Sequence, residues 1–330
     1  MEQSIENLRI QSWVVIVALV LFVCKIIAYL LTGSISVLTD TLESIVNVIA
    51  GIIGLYSLYI SAKPRDEDHP YGHGKAEFIS AALEGILIMV AGLFIIYEAV
   101  FHLFHPHPIE KLDYGILLVA LTGLINYLMG YIAVKKGKAN KSLALEASGH
   151  HLQSDTYSTL AVVTGLILIY ITGVVEIDSI FALIIAIVIM IIGYRITRRS
   201  LAGIMDEADK KLLSQLVDLL NRHRQENWID LHNLRVIKFG SVLHVDCHVT
   251  VPWYLNTREA HIEIDKLTEI ISIEFGDSIE FFVHADGCLD FSCSICVKRD
   301  CPVRKHPLQK KIEWTLDNII SNKKHQLSTS

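Results

Sequence analysis

Two apolar stretches of the chain each hold a pair of metal-binding side chains four residues apart, Glu43 with Asn47 and His151 with Asp155. Four residues of α-helix rise about 6 Å and turn about 40° past one full turn, so each pair leaves its helix on one face. An ionisable group at the bilayer centre costs on the order of 2.5–3.5 kcal/mol even on the lenient insertion scale, and it marks a pathway or ligand site. Imidazole nitrogen from His151, carboxylate oxygen from Glu43 and Asp155, and carbonyl oxygen from Asn47 make four donors for one divalent cation. Zinc takes such N/O donors tetrahedrally at about 2.0–2.2 Å, whereas an oxygen-rich, less constrained site suits Mn2+ or Fe2+. Asp40, one turn before Glu43, offers a further carboxylate. The bland reading of Glu43 and Asn47 is a hydrogen-bonded helix contact.

The elements that position these pairs are spanning helices. The chain has 330 residues, is 52% hydrophobic and has a mean hydropathy of +0.44, with its apolar residues concentrated before position 200. Six stretches, at about 10–32, 35–60, 78–103, 113–134, 144–172 and 177–197, reach the roughly 20 residues that an apolar core of about 30 Å requires. The acidic N-terminus argues against a cleavable signal. Basic residues flank alternate connections, as Lys63, Arg65 and Lys75, then Lys135, Lys136, Lys138 and Lys141, then Arg195, Arg198 and Arg199. The positive-inside bias therefore expects a multi-pass protein of the lipid bilayer with both termini cytoplasmic; a bacterial inner (plasma) membrane is the expected location. A net charge of −6 with no groove-sized basic patch excludes a nucleic-acid partner. No His-Glu-x-x-His sequence occurs, which argues against an intramembrane metalloprotease and for a chain that is not an enzyme.

Three parts follow: residues 1–205 as a six-helix transmembrane domain, 206–287 as a cytoplasmic αββαβ domain, and 288–330 as a Cys-rich extension. In the middle part the spacing predicts a helix over 210–224, strands over 231–238 and 242–251 joined at Gly240-Ser241, a helix over 257–275 capped by Thr257, and a strand over 279–284. That order expects an α+β sandwich, one small sheet with helices on one face. The extension is expected to hold an amphipathic helix over 307–320 and then a disordered polar tail. Cys24 and Cys247 lie in apolar runs and read as core residues. His102, His105 and His107 read as a solvated turn.

The connection Asp66-Glu67-Asp68-His69-Pro70-Tyr71-Gly72-His73-Gly74-Lys75, together with the two polar pairs, resembles the cation diffusion facilitator family of divalent-metal exporters. The resemblance covers nearly the whole chain, and Gly149-His150-His151-Leu152-Gln153-Ser154-Asp155 fits the family's pattern in helix five. It implies a transport site at Glu43, Asn47, His151 and Asp155, with Asp40 able to replace the carboxylate that Asn47 lacks. The family commonly has His or Asp at the first position of helix two and Asp at the second, so Glu43 and Asn47 depart from it. The resemblance also implies a loop metal site at Asp66, His69 and His73, and cytoplasmic metal sites at His232, His248, His261, His284 and Asp286.

Four of the six cysteines, Cys288, Cys293, Cys296 and Cys301, stand apart from that resemblance with the spacing C-x4-C-x2-C-x4-C. Four thiolates so close can close a tetrahedral zinc site. The run Cys293-x-x-Cys296-x4-Cys301-Pro302 matches ferredoxin-type iron–sulfur ligation in part, with its third spacing wrong, and reduced thiols are the remaining alternative. The expected function is export of a divalent cation, Zn2+ first, with Mn2+, Fe2+ or Co2+ as alternatives. The expected carrier is a homodimer that works by alternating access with protons as counter-ion. The rival is a membrane-anchored metal sensor that binds cations through its cytoplasmic domain without transport.

Overall fold

The computed structural model describes residues 2–32, 35–104, 115–172, 176–239, 242–276 and 279–327. The chain divides into two compact units, Met1–Met205 and Asp206–Ser330.

The first unit consists of six long helices: α1 (Glu2–Thr32), α2 (Ile35–Ser61), α3 (Ala76–Phe104), α4 (Gly115–Ala139), α5 (Leu143–Thr172) and α6 (Glu176–Ile204). Helix α1 starts eight residues before the hydropathy boundary, because its first two turns are polar yet packed: Glu6 pairs with Lys136 at 2.5 Å, and Asn140 donates to Asn7 at 2.7 Å. Among the described residues, Gln3–Ile27 and Ala76–Phe101 are long and apolar enough to cross a membrane. Ile16, Leu19, Val20 and Val23 on α1, and Val90, Leu93 and Phe94 on α3, are exposed. Apolar exposure of that extent belongs to a surface that meets lipid. Cys24 is exposed as well, so it is not a core residue. Its apolar neighbours face outward, and periodicity alone cannot tell a lipid-facing stripe from a core-facing one.

Helix α5 packs against α2, α3, α4 and α6. Glycine sets how closely: a Cβ at Gly149 would stand 2.6 Å from the Val134 nitrogen and 2.8 Å from the Gly130 oxygen. Small residues at both positions let the α4 and α5 backbones touch, and this fixes α5 at Gly149, two residues before His151.

The second unit runs α7 (Lys210–Arg222), β1 (Asp230–Phe239), β2 (Val242–Val251), α8 (Thr257–Phe275), β3 (Ile279–Gly287), a 3-10 turn (Asp290–Ser294) and α9 (Leu316–Ile319). The sheet order is β1-β2-β3, with β1 antiparallel and β3 parallel to β2. The Gly240-Ser241 turn lies outside the described residues. Leu231, Leu234, Val236, Val245, Cys247 and Val249 are buried in one core with residues of α7, α8 and α9. The opposite face is left for polar side chains, because successive strand residues alternate.

Four details differ from the sequence expectation. Asn256, not Thr257, caps α8, with Glu259 closing a capping box; Asn at this position is at least as good a cap as Thr. Strand β1 carries a bulge between His232 and Arg235, with Asn233 at φ 57°. The bulge turns both Leu231 and Leu234 toward the core, which strict alternation forbids. The predicted helix over 307–320 is only Leu316–Ile319. Long-range partners take the backbone groups it would need: Ser294 accepts from the Gln309 and Lys310 nitrogens, Arg224 binds the Ile312 oxygen, and Asn221 binds the Trp314 oxygen. The tail is docked through residue 327 and is not disordered there, since Asn233 in the bulge donates its N–H to the Ser321 oxygen at 2.7 Å.

Candidate metal sites

In the helical unit, Asn47 of α2 lies between the two donors of α5. Its Nδ2 donates to Asp155 Oδ2 at 2.5 Å, and its Oδ1 stands 3.0 Å from His151 Nε2. His151 is 6% exposed, and its Nδ1 has no hydrogen-bond partner. The carboxamide thus satisfies a carboxylate with its donor and an imidazole N–H with its acceptor, which an aspartate at this position could not do. A cation needs the reverse polarity: the bare Nε2 lone pair, Asp155 oxygen and Asn47 oxygen all aimed at one point. A cation held here would therefore require the amide to let go of Asp155. The side chains of Glu43 and Asp40 lie outside the described residues, although both positions fall within α2.

The connection between α2 and α3 gathers a second group. Asp66 Oδ1 accepts the His69 backbone N–H at 2.7 Å and stands 3.1 Å from His69 Nδ1, while its Oδ2 stands 3.3 Å from His73 Nε2. Desolvation opposes ionisation of Asp66, but the His69 hydrogen bonds and the two imidazoles outweigh it and hold the carboxyl below its ordinary value. Gly72, at φ 87°, makes the turn that brings His73 back.

On the polar face of the sheet, register assembles a third group. His232 is opposite His248, and His248 is opposite His284, so three imidazoles form one row across β1, β2 and β3. Asp286 lies two residues past His284, and its carboxylate stands 3.4 Å from His232 Nε2, 3.3 Å from His248 Nδ1 and 3.5 Å from His284 Nε2. Among the described residues, Asp66/His69/His73 and His232/His248/Asp286 are the two groups whose three ligand atoms all come within 4.8 Å of one another. His261 is not part of the row: it sits on α8, 71% exposed, beside Asp265.

Residues 13–205 match the cation efflux transmembrane domain, and residues 208–288 match the cytoplasmic domain of cation efflux proteins. The chain belongs to the cation diffusion facilitator family. It is 32% identical to the transporter sll1263 of Synechocystis over 237 residues, covering 72% of this chain and 76% of the relative. It is 27% identical to the cation-efflux pump FieF of Shewanella oneidensis over 269 residues, covering 82% and 90%, and 28% identical to FieF of Yersinia pestis over 280 residues, covering 82% and 89%. The protein is thus a membrane transporter that exports metal cations, and not an enzyme.

Against the family frame, the extension stands out. The matched region ends at Cys288, so Cys293, Cys296 and Cys301 lie beyond it. All four thiols nonetheless line one pocket.

Several polar residues around these sites escaped the sequence reading. Lys25, 6% exposed in α1, donates to Ser44 of α2 at 2.8 Å. Gln11 of α1 donates to Ser148 of α5 at 2.9 Å, and Ser148 donates to Glu84 of α3 at 2.7 Å. A lone lysine or glutamate in an apolar run was the available signal. In the sheet unit, Asp230 stands 3.4 Å from His232 Nδ1 and 2.5 Å from His325 Nδ1, and Lys324 stands 3.7 Å from Asp286. Burial opposes ionisation of Asp230, yet the nearby imidazoles of His232 and His325 win and hold its carboxyl well below the usual range. No local signal marks these tail residues, because only the fold brings them to β1. His105 and His107, and the side chain of His102, lie outside the described residues.

Proposed function

We propose that this family member is a proton-coupled secondary transporter that moves a divalent transition-metal cation out of the cytoplasm by alternating access. Zn2+ is the first candidate substrate, and Mn2+ and Fe2+ are within reach of an oxygen-rich donor set. The observation that carries the reading is the Asn47 amide bridging His151 and Asp155 between two helices. Donors shared between α2 and α5 are assembled or separated by small relative movements of those helices, which is what an alternating site requires. The six helices of 25 to 31 residues are each long enough to span the bilayer, with both termini cytoplasmic by the distribution of basic residues.

In the inward-facing state the cation takes His151 Nε2, Asp155, Asn47 Oδ1 and a carboxylate from Glu43 or Asp40. Metal binding requires deprotonated ligands. Protons arriving from outside therefore compete with the cation for the same atoms and drive release. The row His232, His248, His284 with Asp286 then acts as the cytoplasmic regulatory site, and Asp66, His69 and His73 as an entry site beside α3. Metal on the row favours whichever arrangement of a homodimer binds it more tightly. The test is flux of Zn2+, Mn2+, Fe2+ and Co2+ into proteoliposomes at a set proton gradient. The proposal expects flux that collapses in His151→Ala and Asp155→Ala. Equilibrium binding without flux in the unaltered protein would instead make it a sensor.

A further inference from the structure

We infer that Cys288, Cys293, Cys296 and Cys301 form a tetrathiolate zinc site that staples the C-terminal extension to the sheet, separate from the transport and regulatory sites.

Cys288 is the fixed corner. It directly follows β3, and its N–H donates to the Val251 oxygen at the end of β2 at 2.9 Å. The 3-10 turn Asp290–Ser294 presents Cys293, and the following turn, in which the Cys296 N–H meets the Cys293 oxygen at 3.4 Å, presents Cys296. Arg304 closes the loop from the other side. Its guanidinium donates to the backbone oxygens of Cys293 and Cys296 at 3.1 Å each and of Lys298 at 2.5 Å. The Lys305 N–H points at Cys293 Sγ at 3.5 Å, a donor suited to a thiolate.

Packing asks for a staple here, and charge balance permits a metal. A metal-bound thiol is deprotonated, so four thiolates on Zn2+ leave two negative charges. Lys298 and Arg304 line the same pocket and offset them. Between the 3-10 turn and α9 the chain has no regular element, and the apolar cluster beneath it contains only Ile229, Ile295 and Cys296 as buried residues. Further along, Trp314 is buried in the main core and Arg224 and Asn221 bind the backbone, but the loop that carries the thiols rests on this small cluster, and a structural metal is a standard staple for such loops. The thiols already surround one pocket, although their sulfurs are not among the groups drawn within 4.8 Å. Zinc binding draws them in. The cytoplasmic compartment favours metal over disulfide.

The experiment uses the full-length protein in detergent with Co2+ as probe. Thiolate-to-cobalt charge transfer is blind to the transport and regulatory sites, which contain no sulfur, so failure here leaves the transport reading untouched. The expected result is about one Co2+ per chain with that absorption, displaced by Zn2+ and lost in Cys293→Ser/Cys296→Ser. Because that variant could misfold, the unaltered protein is also alkylated under reducing conditions with Zn2+ and after strong chelation, where four of its six cysteines should become reactive only after chelation. Absence of the charge-transfer band, with equal alkylation in both conditions, would overturn the proposal. So would iron with acid-labile sulfide in the isolated protein, or a disulfide among the four.

Discussion

The helix-borne donors His151, Asn47 and Asp155 and the strand-borne row His232, His248, His284 and Asp286 use similar chemistry on opposite mechanical terms. The helix group draws on two elements bridged by the Asn47 amide, which pairs with Asp155 on one side and with His151 Nε2 on the other. The strand group is held by the ladder itself: β1 to β2 to β3 register sets the spacing of the imidazoles before any cation arrives. Ladder partners cannot slide without a slip that turns every side chain to the other face. The first arrangement suits a site that must form and break in each cycle, the second one that only reports occupancy. The competitors differ as well. A cation on the helix group would require the amide to rotate, whereas one on the sheet would have to displace the Lys324 ammonium, 3.7 Å from Asp286.

This contrast can be broken most forcefully at α5. His151→Ala and Asp155→Ala should each reduce proteoliposome flux by at least the ~100-fold that loss of an outer-shell partner can cost a metal site. Titration calorimetry on the same proteins should still show binding at the cytoplasmic row. If flux survives, the helix group is not the transport site. Second in size, Asp286→Ala should weaken binding at the sheet by about 10–100-fold, raising the metal concentration needed for half-maximal flux while sparing the maximal rate. His261→Ala, on an exposed helix face, should alter neither value.

A subtler test sharpens the role of the amide. Asn47→Asp replaces a neutral donor with an anionic one and removes the internal hydrogen bond to Asp155. The ratio of Zn2+ to Mn2+ flux should then rise, by the roughly tenfold that each 1.4 kcal/mol represents; an unchanged ratio would remove Asn47 from the determinants of selectivity. Smallest is Asp209→Ala in the sheet unit, where Asp209 caps α7 and pairs with Lys238. Loss of the cap should cost about 1 kcal/mol in chemical denaturation. Desolvation opposes ionisation of Asp209, but Lys238 and two backbone N–H groups hold its carboxyl below the usual carboxylate range. Its contribution is therefore complete above about pH 4 and fades as pH falls through the lowered value. The alanine variant should lack that part of the acid sensitivity.

Much of the architecture was legible in sequence because its signals are local. Strand β2 runs Val242–Val251, as alternation predicts, and α8 ends where Gly276 stands at φ 72°. Helical spacing singled out Asn47, His151 and Asp155, which the structure brings together. The segment over 307–320 failed for the converse reason. Its apolar spacing is helical, but Ser294, Arg224 and Asn221, all distant in sequence, bind its backbone in an irregular path. The bulge at Asn233 was equally invisible, since a strand's pattern does not state where its partner loses step.

By itself, then, the sequence determined donor types, their spacing along helices and strands, the apolar stripes that make six long helices, and the family to which the chain belongs. Tertiary structure alone decided which donors meet. Asn47 reaches Asp155 across 108 positions, His232 joins Asp286 rather than His261, and the tail brings His325 to Asp230. Periodicity is written in neighbouring residues, whereas these contacts depend on ladder register and helix packing, which every element of a unit settles together.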